Sequence, residues 1–251
     1  MAYTTIDNPE LYFQTKLYTG NDGTNAITLD GSENMQPDWV WIKGRGGYAH
    51  NLIDSVRGVT KRLRANTNAA ETTDSTGVTA FGTDGFTLGG QGGYNNDGDP
   101  FVAWNWKAGT SFTNDASSTG VGSIDSAGSV NTDAGFSITS YTGTGSAATV
   151  AHGLGVVPSV YILKNRTSTS NWFVYHKSTG ATKSLFLDGS EAGITSSGYF
   201  NNTEPTSSVF SIGSESDLSG SSQNMIAYCF AEKKGYSKFG SYTGNGNADG
   251  T

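Results

Sequence analysis

The chain has 251 residues, 35 of them glycine, with 12 % aromatic residues, only 15 % charged residues and a net charge of −7. It is too apolar and aromatic to be disordered and too poor in strong helix formers to be helical, and its acidity leaves no basic face for nucleic acid. A single cysteine excludes an intrachain disulfide framework, and no run approaches the roughly 18 apolar residues of a membrane span.

In chain order, Met1–Tyr12 carries Tyr3, Ile6, Leu11 and Tyr12 ahead of the first repeated motif, and residues 1–12 are predicted to form an attachment arm. The stretch Met1–Asp7 has neither the basic nor the apolar region of a secretory signal, so synthesis in a cytoplasm is expected. Residues 13–108 hold short apolar runs at 39–42 and 101–106, bounded by turn signals such as Asn21-Asp22-Gly23 and Asp97-Gly98, and predict a first β-sandwich module. Within it, residues 50–64 are the least strand-like and are assigned one helical turn. Residues 109–135 are rich in Gly, Ser, Thr and Asp and predict a linker or an embellishing loop that buries no core. Apolar runs return at 159–163, 172–175, 184–187, 209–212 and 225–230, predicting a second module over 136–235. Residues 236–251 read as the start of a third module, with chain continuation favoured, or as a closing strand.

Repetition supports this division. Tyr18-Thr19-Gly20 returns as Tyr141-Thr142-Gly143 and again as Tyr242-Thr243-Gly244. Pro37-Asp38-Trp39-Val40-Trp41-Ile42-Lys43 returns as Pro158-Ser159-Val160-Tyr161-Ile162-Leu163-Lys164, and Val102-Ala103-Trp104-Asn105-Trp106 returns as Ile226-Ala227-Tyr228-Cys229-Phe230. What both copies keep is scaffold, and specialised function belongs to what one copy alone carries. The expected fold is all-β: tandem small sandwiches, jelly-roll-like or lectin-like, with Pro37 and Pro158 opening equivalent strands.

The runs Trp39–Ile42 and Val160–Leu163 are apolar on both alternating faces, unlike a strand with one solvated face. Either long loops of the same module cover the outer face, or a neighbouring module or subunit does. Trp39, Trp41, Trp104 and Trp106 are the contact residues this second reading nominates.

The chemistry-bearing residues nominate no catalyst: none of His50, His152 and His176 sits in a nucleophile elbow, and no carboxylate pair stands out. Asn95, Asp97 and Asp99 alternate oxygen side chains as a calcium loop does but lack the distal glutamate, so a plain turn is favoured over a metal site, and no cofactor is expected. Arg57, Lys61, Arg62 and Arg64 form a basic cluster that the second copy does not keep, read as a solvated face or a docking patch. Tyr48, Tyr94, Trp172 and Tyr199 read as sugar-stacking platforms or as caps on the sandwich ends. Cys229, in an apolar strand, reads as an inert core thiol.

Several stretches in one order carry a family resemblance: MAYTTIDNPELYFQTKLYTGN, QPDWVWIKGR, DSVRGVTKRL and FVAWNWKAG, then AHGLGVVPSVYILKNR, NWFVYHKS and IAYCFAEKKGYSKFGSYTGNG. They resemble a repeated β-rich module of virion structural proteins of marine tailed phages. The resemblance implies a non-enzymatic tail-fibre, appendage or capsid-surface component on the virion, joined to other virion proteins through the arm. It implies a homo-oligomer, a trimer by analogy with phage fibres, without membrane insertion. A glycan-binding adhesin is the alternative, and a polysaccharide depolymerase a more distant one.

Overall fold

The computed structural model describes residues 4–248, so Met1–Tyr3 of the expected arm and residues 249–251 lie outside the described residues. The protein is all-β, built from antiparallel sheets around three apolar cores. In the first half, a six-stranded sheet runs in the order Phe13–Thr19, Pro100–Trp106, Trp39–Gly44, His50–Asp54, Lys61–Arg64, Thr72–Thr73. A three-stranded sheet of Asn25–Thr28, Gly85–Leu88 and Val78–Gly82 covers it, and Ile27, Phe86 and Leu88 meet Val40, Ile42 and Phe101 in the first core.

The second half uses the same order. Phe136–Thr142, Asn224–Phe230, Val160–Asn165, Trp172–His176, Lys183–Phe186 and Ile194–Thr195 lie side by side. A two-stranded sheet of Ala148–Ala151 and Val209–Ile212 covers them around Tyr161, Leu163, Phe210 and Ile212. Pro37 and Pro158 each stand two residues before the third strand of this order. Cys229 is fully buried in this core, and burial pushes its thiol up to about 12, which keeps it protonated and unreactive.

Three expectations change. Residues 50–64 hold two strands joined by a turn and no helical turn, because Leu52 and Leu63 face each other across the ladder and both are buried. Residues 109–135 do more than link: Thr110–Asn114 and Ser126–Asn131 extend the second large sheet beyond its first strand, giving eight strands in all. Backbone hydrogen bonding to an open edge needs few apolar side chains, which is why composition hid these strands. Residues 4–12 are packed on their own chain. Asn8 caps the turn Pro9–Leu11, the Glu10 carboxylate accepts from Ser32 N–H at 2.7 Å, and Ile6 is buried.

The Tyr-Thr-Gly motif fastens the first strand of each sandwich to the one-turn helix that stands nearest before its last strand. Tyr18 donates its hydroxyl to the Tyr94 carbonyl at 2.6 Å, and Tyr141 donates to that of Leu218 at 3.0 Å. Gly20 N–H donates to Asp99 O and Gly143 N–H to Gln223 O, both at 2.9 Å. The glycine is required by proximity: a Cβ on Gly20 would lie 2.0 Å from Asn96 O, and one on Gly143 would lie 2.3 Å from Gly220 O. Gly143→Ala is therefore expected to cost about 1–3 kcal/mol through forced displacement of backbone, measured by urea denaturation.

Candidate interaction site at the seam between the sandwiches

The outer faces of the two large sheets pack on each other, and this answers why their central strands are apolar on both sides. Trp39, Leu52 and Leu63 from the first half meet Phe136, Ile138, Trp172, Ile226 and Tyr228 from the second in a third core. The Trp39 ring stacks on Tyr228 with centroids 4.3 Å apart and planes 15° apart, and touches Trp106, Phe136 and Phe230. Long loops of the same half do not cover this face at its centre; the other half does.

Polar groups pin the register of the seam. Arg57, with no exposed side-chain surface, binds the Asp54 carboxylate through Nε and places Nη1 3.1 Å from Glu71. Its remaining donors reach the carbonyls of Lys61 and Leu52, both at 2.9 Å. From the other half, Arg166 grips both Glu71 oxygens at 2.9 and 3.0 Å, and Tyr228 donates its hydroxyl to Asp54 at 2.7 Å. Burial alone would push Glu71 up; hydrogen bonds from Arg166 and the charge of Arg57 outweigh it and hold its carboxyl below the usual range. Arg57 feels burial most, yet Asp54 and Glu71 raise its pKa above the ordinary arginine value.

Lys164 is a further buried cation at this seam. It donates to the carbonyls of Asn68, at 2.9 Å, and Ser170, and its ammonium lies 5.9 Å from the Trp172 ring centre. Burial brings its pKa down to about 8, against the raising influence of Asp188 and Asp217. The unfolded chain then holds more protons than the folded one between about pH 8 and the ordinary lysine range. The stability contributed by Lys164 is expected to rise with pH across that window, read as the change between pH 7.5 and 10 in the difference between the unaltered chain and Lys164→Met, in which the opposite slopes of Cys229 and the buried tyrosines cancel.

At the open end of the seam lies an aromatic cleft of about 410 Å³ lined by Phe13, Trp41, Trp106, Phe136, Phe230 and Phe239, among others. Trp41 is half-buried there. Its indole N–H donates to His50 Nδ1 at 3.0 Å, and its ring meets Trp104 edge-on at 6.2 Å. A larger groove of about 820 Å³ between the 109–135 insertion and the strand Phe136–Thr142 is lined mainly by Ser, Thr, Asn and Asp, together with Ile124 and Tyr141. Its arginine, Arg166, is already held by Glu71, and its Asp115 caps the helical turn Ala116–Thr119.

The structure redistributes the residues nominated from sequence. Trp39 belongs to the buried seam and borders the cleft that Trp41 and Trp106 line, and Trp104 is half-buried beside Trp41. Tyr94 and Trp172 are fully buried and cannot stack on a sugar: Tyr94 fills the first core, and the Trp172 indole donates to Arg64 O at 2.9 Å across the seam. Tyr48 and Tyr199 stay half-exposed but pack on different cores, so they form no common platform.

Nor do the four basic residues make one patch. Arg57 is buried, and strand alternation sends Arg62 toward Asp74, at 3.0 Å, and the Tyr94 ring. Lys61 binds Thr73, and Arg64 is half-buried. The calcium-like triplet is also dispersed. Asn95 is buried, and its amide ties the loops together through Asn21, Gly23 and Gly89 at 2.8–3.0 Å. Asp99 accepts from Tyr48 and Asn96, and Asp97 points to solvent. Among the described residues no three His, Cys, Asp or Glu side chains converge as a metal set.

Asp54 and Glu71 went unnoticed in the sequence as seam residues. The signal present was the double-faced apolar strand, which predicts a covering partner without saying which charges come with it.

These features define an all-β protein of two sandwiches joined face to face, with an aromatic cleft where the joint opens. The chain belongs to the family described as a domain of unknown function, DUF7483, whose model matches residues 8–251. Neither a curated protein nor a solved structure matches it.

Proposed function

We propose that this chain is a non-enzymatic structural protein of a phage virion, a tail-fibre, appendage or capsid-surface component that takes part in host attachment. The virion assignment rests on the resemblance of its repeated motifs. The observation that carries the mechanical part is the seam: two sandwiches share one apolar core and a buried ion network, so force applied to one is passed to the other without a flexible joint. The aromatic cleft supplies a contact for another virion protein or a second copy, since apolar surface of this kind is rarely left open on a lone chain. Trimeric assembly belongs to this same reading.

The test is immunogold electron microscopy of purified phage particles with antibody raised against the chain, together with mass spectrometry of the particles. Labelling at a fixed site on the virion is the expected result; a chain absent from particles yet abundant in infected cells overturns the reading. The adhesin alternative is favoured by the half-exposed Trp41 and Trp106 at the cleft mouth, because an aromatic face packs on the apolar face of a pyranose. A glycan array separates the two: binding that Trp41→Ser abolishes supports the adhesin.

A further inference from the structure

We infer that Phe239–Gly244 is the first strand of a β-sandwich unit other than the two described, and that its partner is a unit of this same kind whose first-strand position is open. The motif Tyr-Thr-Gly occurs three times. In two of them its work is visible: the tyrosine hydroxyl reaches the carbonyl of a one-turn helix, and the glycine lies so close to the backbone after that helix that no Cβ fits. In both, the glycine N–H also binds the residue just before the last strand.

The third copy has the same residues and none of these contacts. Tyr242 is 94 % exposed, and an added Cβ on Gly244 would meet nothing within 4 Å. A large aromatic side chain held in solvent gains nothing from burial, and a glycine in open space is needed by no neighbour. Both become explicable once the segment sits where Tyr18–Gly20 and Tyr141–Gly143 sit in their own sandwiches.

The chemistry of the partner follows from those two sites. It must offer the open edge of a last strand for antiparallel pairing, as Pro100–Trp106 does for Phe13–Thr19. It must also present a helical-turn carbonyl to the tyrosine hydroxyl and a close backbone to the glycine. The two units of this chain already have their first strands, so neither is the acceptor. The segment begins beside the aromatic cleft, where Phe239 packs at 6.1 Å from Phe230, so the added unit would stand next to the open end of the seam. Recognition of this sort is strand addition, with ladder hydrogen bonds for affinity and alternate side-chain pockets for specificity.

The test supplies such an acceptor. In one arm, residues 21–235, both sandwiches with their seam but without the first strand, are joined after Gly244 of the full chain in place of residues 245–251. In the other, the same 21–235 fragment is added separately to the unaltered full chain, and protected amides in the fragment's second sandwich and seam show in the same run that the acceptor is folded. Amide hydrogen exchange at Ser241, Tyr242 and Thr243 is followed in both. The expected result is slowing by a factor of about 100 in the joined protein, as for a strand in a folded sheet.

Slowing in the joined arm alone shows that pairing needs the high effective concentration of one polypeptide, and slowing in both shows that a neighbouring chain can supply the acceptor. Gly244→Val, harmless in the unaltered chain because a Cβ there meets nothing within 4 Å, is expected to return these amides to the unprotected rate in the joined protein. Unprotected amides in both arms overturn the inference, as does protection that Gly244→Val leaves intact.

Discussion

Arg57→Ala is expected to cost about 3–5 kcal/mol of folding stability, because it strips the counter-charge from a carboxylate that stays buried. Asp54 has no exposed side-chain surface, and after the substitution it would keep only the Arg57 backbone N–H and the Tyr228 hydroxyl as partners. Glu71 would lose one of its two guanidinium partners, and the carbonyls of Leu52 and Lys61 would lose their donor. Arg57→Lys keeps the charge but not the fork that serves three directions at once, so it is expected to recover only part of the loss.

Guanidinium chloride would screen the surface charges, so urea is the better denaturant for this measurement. Lys16→Ala makes a useful control. The Lys16–Asp30 pair is only 3.0 Å long, but the aspartate side chain is 70 % exposed, and removing it should change stability by about 1 kcal/mol or less. A comparable loss from both substitutions would show that the seam network is not the buried, coupled unit described above.

Trp39→Ala is expected to destabilise by about 3–5 kcal/mol, the range for removing a large aromatic side chain from a packed core. The ring is 1 % exposed and touches residues from both sandwiches, so its loss opens a cavity between them and not within either. That placement gives a second, more specific outcome. With the native seam, urea unfolding monitored by tryptophan fluorescence and by far-UV circular dichroism should coincide in one transition. In Trp39→Ala the two probes should separate, because the two halves no longer share a close-packed contact. Trp39→Phe keeps an aromatic face against Tyr228 and should retain the single transition at a smaller loss. A Trp39→Ala protein that unfolds with native midpoint and coincident probes would remove the seam as the element that couples the halves.

Much of this architecture was present in the order of residues. Alternation of β-branched and aromatic residues between Gly, Asn and Asp turns is a local property, and it located the strands Trp39–Gly44, Pro100–Trp106, Val160–Asn165 and Asn224–Phe230 closely. The repeated Tyr-Thr-Gly and proline motifs marked equivalent positions in the two halves, since the same backbone contact demands the same residue each time. Alternation also revealed that the outer faces of the central strands needed a cover.

What covers them was decided by the tertiary structure alone. The Trp172 indole meets Arg64 O across 108 residues, Arg166 meets Glu71 across 95, and Tyr228 meets Asp54 across 174. No spacing rule links such positions, because the pairing depends on how two finished sheets lie against each other. Arg57 therefore reads as a surface cation and Trp172 as an exposed platform until the second sheet is laid on the first. At the 109–135 insertion the reason is different: its strands are held by backbone hydrogen bonds, which every non-proline residue can make, so its side chains carry little trace of them.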